Sequence, residues 1–219
     1  MISLRFNAYH MTSLFIALTT IFSSLMFLFS SDYRAFPHFI SEADVGHIPS
    51  LLFKGGFVLS SLAMTWMMIE STRRLVEEKK EMPHRILTTV LGSIAVISLW
   101  FVIMYDLHSN IRIHTIAAGI CFISSLMWTK VYGSAIDIDS NLFKRGLLIS
   151  ASGCIAMIGA LSLAPRYTSS LETNAYLDSI QNFIFVAAPA EFALVAGLLA
   201  SIYALGNEEG EKNSSSVRT

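Results

Sequence analysis

The sequence predicts an all-α fold, a polytopic membrane bundle of six transmembrane helices with both the N- and C-termini cytoplasmic. Three observations predict it. Of the 219 residues, 53% are hydrophobic and 14% charged, where a water-soluble domain carries about 25% charged residues, and the mean hydropathy is +0.57. Apolar runs long enough to cross a bilayer recur at 11–30, 50–69, 86–105, 115–132, 146–164 and 182–205. The cations gather in alternate connections between them.

The first run follows Arg5 and could be mistaken for a secretory signal. It is about one bilayer crossing long at 1.5 Å per residue, and Ser31, Asp32 and Tyr33 follow it without a small-x-small cleavage pattern, so it is expected to stay as a helix. All six runs must be helical, because hydrocarbon offers no partner for backbone N–H and C=O groups and the alternation of a β-barrel strand is missing. The fifth run carries Gly146, Ser150, Gly153 and Gly159 and the sixth Ala193, Gly197 and Ser201, small residues spaced for close helix approach. The expected organisation is one six-helix domain over 1–206 and a polar, disordered cytoplasmic tail over 207–219.

Orientation follows from the cations. Arg5; Arg73, Arg74, Lys79, Lys80 and Arg85; Lys130, Lys144 and Arg145; and Lys212 and Arg218 fall on one side, whereas Arg34, Arg112 and Arg166 fall on the other and Lys54 lies within a span. The positive-inside bias places the first group in the cytoplasm and turns the loops around 31–49, 106–114 and 165–181 outward or to a lumen.

Composition also removes function classes. A net charge of −1 offers no basic surface for nucleic acid. Cys121 and Cys154 lie inside apolar runs, where they build no disulfide framework. There is no glycine-rich phosphate loop, no Gly-x-Ser-x-Gly elbow and no Cys-x-x-Cys pair, and no cofactor is expected. No span carries the run of acids or filter-like segment of an ion channel.

The informative residues are polar groups inside spans. Glu191 stands about ten residues into the last run, about 15 Å deep, where a charge costs about 2.5–3.5 kcal/mol on insertion scales. It is expected to face the bundle interior, toward a polar partner from neighbouring helices. Pro189 just before it cannot donate to the helical ladder. Lys54, beside Gly55 and Gly56, either snorkels to headgroups or turns inward toward Glu191 or a lipid phosphate. His38, His47, His108 and His114 share the outer side with Glu42, Asp44 and Asp106. Of these, His38, His47, Asp106, His108 and His114 are candidate zinc ligands by donor type, without the His-Glu-x-x-His spacing of a zinc helix.

Three segments resemble the Frag/DRAM/Sfk family. They are Phe36-Pro37-His38-Phe39-Ile40-Ser41-Glu42 followed by Gly46 and Pro49; Ile113-His114-Thr115-Ile116-Ala117-Ala118-Gly119; and Ala190-Glu191-Phe192. The matching positions are Pro37, Ile40, Ser41, His114 and Glu191. The resemblance implies a six-span protein tied to lipid handling, since members include GPI-anchor lipid-remodelling proteins and modulators of autophagy, and it implies that His114 and Glu191 form a polar pair inside the bundle. The additional domain of the yeast cell-wall member is not expected here, which leaves a GPI-anchor link open.

The leading expectation is a membrane protein that binds or handles a lipid or glycolipid in an outward-facing intramembrane cavity with the first outer loop as its lid. Lys54, His114, Glu191, Ser41 and Pro37 are its candidate lipid-binding residues. The absence of a motif pairing a nucleophile with a base favours binding over catalysis. The alternatives are an intramembrane lipid hydrolase or acyltransferase with His114 and Glu191 as catalytic candidates, and a scaffold acting through the 72–85 loop. Membrane lipids are the expected partners and nucleic acid is not; a homo-oligomer is left open, and the location is the plasma membrane or an endomembrane.

Overall fold

A computed structural model describes residues 7–168 and 171–216, with side chains described up to Glu208. The described residues are helical, in the order α1 (Ala8–Leu28), a short 3-10 turn (Ile40–Ala43), α2 (His47–Glu77), α3 (Met82–Met104), α4 (Ile111–Ala135), α5 (Asn141–Leu163), α6 (Thr173–Ser179) and α7 (Gln181–Ser216). Six of these helices, all but the short α6, are long and apolar enough to cross a membrane, and each overlaps one of the six runs in the sequence.

Local chemistry sets where the helices begin. Asn7, Asn110 and Ser140 each accept a hydrogen bond from the backbone N–H three residues on, at 3.1, 3.2 and 3.4 Å, which satisfies amides that would otherwise face no partner. Pro83 sits in the first turn of α3, where its missing N–H costs nothing. Gly46, with φ of 74°, makes the turn into α2, and a side chain there would meet Asp32.

Two ends differ from the sequence reading by two turns or more. α2 runs to Glu77, two turns past residue 69, because Arg73 and Arg74 donate to Glu77 and Glu78 at 2.8 Å along its last turns. Most charges of the 72–85 segment are thus engaged with near neighbours in a helix extension. α7 remains helical to Ser216, into the stretch 207–219 expected to be disordered; residues 217–219 lie outside the described residues.

The helices pack in the series α5, α7, α1, α2, α3, α4, and α4 also touches α5 and α7 more lightly. The α5–α7 contact is backbone-close. A Cβ on Gly153 would stand 2.6 Å from the carbonyl oxygen of Ala190, and one on Gly197 2.6 Å from the amide nitrogen of Ser150. Ser150 Oγ donates to the Leu194 carbonyl at 2.6 Å and Ser201 Oγ to that of Phe143 at 3.2 Å. Gly146, Gly153 and Gly197 thus let the two backbones approach, with Ala190 and Leu194 in the seam and Gly159 outside it, where a Cβ would meet nothing within 4 Å.

The distribution of polarity is that of a bundle bathed in hydrocarbon. Ile155 and Leu148 are 74% and 68% exposed, part of an apolar outer surface far larger than a soluble monomer shows. Inside, Thr12, Ser23, Ser60, Ser71 and Thr129 return their hydroxyl protons to carbonyls four residues earlier, so these five oxygens are satisfied within their own helix. The N-terminal turn of α1 and the membrane exit of α7 lie together: Asn7 Nδ2 donates to the Gly206 carbonyl at 2.7 Å, and His10 Nε2 is hydrogen-bonded to Asn207 Oδ1 at 3.0 Å. The opposite end carries the loops at 29–46 and 105–110 and the segment around α6.

Candidate functional site at the loop end of the bundle

The 29–46 loop folds back across the bundle instead of standing away from it, and three sets of polar contacts hold it there. Arg34 is the first. Its side chain is only 8% exposed; Nε donates to Glu42 Oε2 at 3.0 Å, and Nη1 donates to Asp178 Oδ1 at 2.9 Å and to Gln181 Oε1 at 2.7 Å. The guanidinium thus ties the loop to α6 and to the first residue of α7, and Gln181 Nε2 returns a bond to the Pro37 carbonyl at 3.3 Å.

The second set is built on two buried carboxyl groups. Glu42, 1% exposed, accepts from the Phe39 N–H at 2.9 Å, and Glu191, 6% exposed, accepts from the Ile40 N–H at 2.8 Å. Consecutive amides at the start of the 3-10 turn, which have no backbone partner within the turn, are therefore capped by one acid from the loop and one ten residues into α7. Burial pushes the Glu42 carboxyl above its usual range, while its bonds from Arg34 and Phe39 oppose that rise. Glu191 does face inward, as its depth requires, but its partner is a loop amide and not a neighbouring helix.

The third set surrounds Lys54. Its ammonium lies 3.4 Å from Asp44 Oδ1 and 3.8 Å from Asp106 Oδ2, so the lysine is engaged by two loop acids and turns neither to Glu191 nor to a bare headgroup position. Asp44 also accepts from Ser50 Oγ at 2.6 Å. Burial pushes its carboxyl up to about 6, against the lowering effects of Ser50 and Lys54. At Asp106 burial also raises the value, but the bonds from Ser109, at 2.6 Å for the backbone N–H, and the nearby Lys54 outweigh it and leave the group below its ordinary value.

The histidines separate. His38 is buried among the edges of Phe27, Tyr33 and Phe192, with ring centroids 5.1, 6.0 and 6.1 Å away, and neither ring nitrogen has a hydrogen-bond partner. Burial, and then Arg34, lowers its pKa, so it packs as a neutral ring. His47 is exposed on the first turn of α2. His114, 1% exposed, pairs Nδ1 with the Tyr105 carbonyl at 2.7 Å; a carbonyl only accepts, so Nδ1 carries the proton, and Nε2 has no partner. His114 and Glu191 thus each bond a different backbone group, and no hydrogen bond joins them. Among the described residues no three His, Cys, Asp or Glu side chains are grouped to hold a metal. The donors proposed from sequence are committed elsewhere: His38 to an aromatic box, His114 to the end of α3, Asp106 to Ser109 and Lys54.

Of the five family-like positions, Ile40 and Glu191 meet directly, Pro37 joins them through Gln181, Ser41 contributes its backbone carbonyl to the Asp44 amide at 3.2 Å, and His114 stands apart. Sequence reasoning missed Arg34, Asp178 and Gln181. Arg34 is the sole cation in its loop and is followed eight residues later by Glu42, a signal that was present but was counted only toward orientation. Searches of family models, curated proteins and solved structures find no match to the chain.

Proposed function

We propose that this chain is a multi-pass membrane protein of the Frag/DRAM/Sfk type that binds or handles a lipid or glycolipid at the loop end of its bundle, without itself catalysing a reaction. The observation that carries this reading is the 2.8 Å bond from the Ile40 amide to Glu191, which joins two of the family-like segments across 151 residues of chain. A midspan acid is costly in hydrocarbon, and here it positions a loop that covers the bundle. That is what a lid over an intramembrane binding site needs. The crowd of Lys and Arg at the end where α1 begins and α7 leaves the span supports a cytoplasmic location for that end, with the lid facing outside or a lumen. A plasma-membrane or endomembrane site, with a role in lipid remodelling or autophagy, is what the resemblance implies.

Purification in a mild detergent followed by native mass spectrometry tests the reading. The wild-type protein is expected to retain one lipid class above its share of the membrane, and Glu191→Leu, which frees the loop, to lose that selectivity while keeping its helix content. Retention in proportion to bulk membrane composition, unchanged by the substitution, refutes it.

A further inference from the structure

His38 stands where an imidazole is a poor fit. It is 4% exposed, enclosed by the rings of Phe27, Tyr33 and Phe192, and both of its nitrogens lack a partner. A neutral imidazole carries one donor and one acceptor, and leaving such groups buried and unpaired is costly. Packing requires neither, since a phenyl ring would fill the same box without stranding a nitrogen.

The place of this ring in the chain gives it leverage over the loop. The next two residues, Phe39 and Ile40, are the ones whose amides Glu42 and Glu191 hold at 2.9 and 2.8 Å. The charged and titratable groups around the ring offer no room for a proton. Tyr33 and Arg34 stand on its own loop, Glu42 in the 3-10 turn, Glu191 beside Phe192 on α7, and Asp178 on α6 behind the Arg34 guanidinium; α1 meets the ring through Phe27. The acids among them are already engaged, Glu42 by Arg34 and the Phe39 amide, Asp178 by Arg34, and Glu191 by the Ile40 amide. An imidazolium in the box would bury two N–H donors without an acceptor, under the field of a guanidinium of the same sign. Burial, and then Arg34, accordingly hold the ring's pKa below its ordinary value while the loop is closed.

We propose that His38 is a proton-operated release for the 29–46 loop: a proton taken up from the side the loop faces drives the ring out of its aromatic box, and the Phe39 and Ile40 amides leave Glu42 and Glu191 with it. The sign follows from linkage. A ring that binds its proton more weakly in the closed state supports closure fully above about pH 6.5 and withdraws that support as pH falls below it. His108, also lowered by burial, acts in the same sense. Glu42 and Asp44, both raised by burial, act in the opposite one, because the closed state holds their protons more tightly as pH falls. The His38 contribution is therefore read against a variant that keeps the other three. The release belongs to the loop itself and holds whatever ligand lies beneath it.

Hydrogen exchange across residues 36–42 of the full chain in detergent tests the proposal. Rates are compared as the ratio of wild type to His38→Phe at each pH, so that the intrinsic pH dependence of exchange and the contributions of Glu42, Asp44 and His108 cancel. Between about pH 7.5 and about 5.5 the ratio is expected to rise several-fold, up to about ten-fold, the limit set by a free imidazole of pKa about 6.5. His38→Gln, polar but unable to titrate, is expected to give the same rise as the reference. A ratio that stays constant or falls toward acid against both variants overturns the proposal and leaves His38 a packing residue. The imidazole resonances of the wild-type protein give a reading that needs no variant. His38 is expected to take up its proton together with loss of protection at the Phe39 and Ile40 amides, and protonation while those amides stay protected overturns the proposal. Either failure leaves the lipid reading standing, because that reading is decided by the lipid the protein retains.

Discussion

The backbone amide of Ile40 and the carboxyl of Glu191, 151 residues apart, meet at 2.8 Å inside the bundle. An amide at the start of a 3-10 turn lacks a partner within the turn, and an acid at midspan lacks one in hydrocarbon. Each removes the other's deficit. Glu191→Leu leaves the Ile40 amide buried and unsatisfied, a loss of about 1–3 kcal/mol, whereas Glu191→Gln keeps an acceptor of the same shape. Thermal unfolding in detergent is expected to show a clear drop for Leu and a small one for Gln. Proteolysis within the 29–46 loop should quicken for Leu alone. Equal behaviour of the two variants would mean that the amide bond does not hold the loop.

Arg34 and Glu42 form an ion pair of a different grade from the surface pairs at the other end. With side-chain exposures of 8% and 1%, loss of one partner strands the other in low dielectric, a penalty of about 3–5 kcal/mol. Arg34→Ala is therefore expected to be among the most disruptive substitutions in the loops. Asp178→Ala removes a partner that is 63% exposed and should cost less than about 1 kcal/mol. Combining Arg34→Met with Glu42→Gln, which removes both charges, should recover part of the stability lost in Arg34→Ala, and unfolding of the three variants side by side checks the ranking.

What the sequence made legible and what it hid divide along physical lines. Hydrocarbon selects long apolar runs so strongly that six spans could be read directly, yet their ends were set by groups outside the membrane. The Arg73–Glu77 and Arg74–Glu78 pairs, for instance, carry α2 two turns beyond its apolar run. Depth alone required Glu191 to turn inward. Its partner was illegible because every residue but proline carries an amide, and nothing in Phe39-Ile40-Ser41 marks which one will be free. Lys54 stands out in the sequence as a charge within a span, but Asp44 and Asp106, which engage it, arrive from two different connections. Arg34 was hidden by its ordinariness as one loop cation, and only folding revealed that it is buried.

Asp44 makes one contribution to stability depend on pH. Its carboxyl is raised from 3.8 to about 6 in the folded chain, chiefly by burial. Between those values the native state binds more protons at this site than the unfolded state, so its contribution to stability falls as pH rises and is lost by the time pH passes about 6. The full effect is on the order of 2–3 kcal/mol. Asp44→Asn keeps an acceptor for Ser50 and removes the titration. The expected outcome is that wild type gains stability relative to Asp44→Asn as pH is lowered from about 7 to about 5. Measuring the difference between the two proteins cancels the opposing histidines, His38 and His108, whose lowered values favour the folded state as pH rises. A difference that stays flat over that range would show that Asp44 is not raised.

Glycines with and without a neighbour should respond oppositely to the same added methyl. At Gly153 and Gly197 a Cβ would stand 2.6 Å from backbone atoms of the facing helix, which cannot rotate away as a side chain would. Alanine there forces α5 and α7 apart and breaks the hydroxyl bond from Ser150 to Leu194 nearby, with an expected loss of about 1–3 kcal/mol. At Gly159 on the same helix nothing lies within 4 Å. There alanine only restricts the unfolded chain and improves helix propensity, an expected gain of about 0.5–1 kcal/mol. Unfolding of the three single variants decides the matter, since a seam held only by lipid pressure would treat all three positions alike, whereas a backbone-close seam separates them in sign.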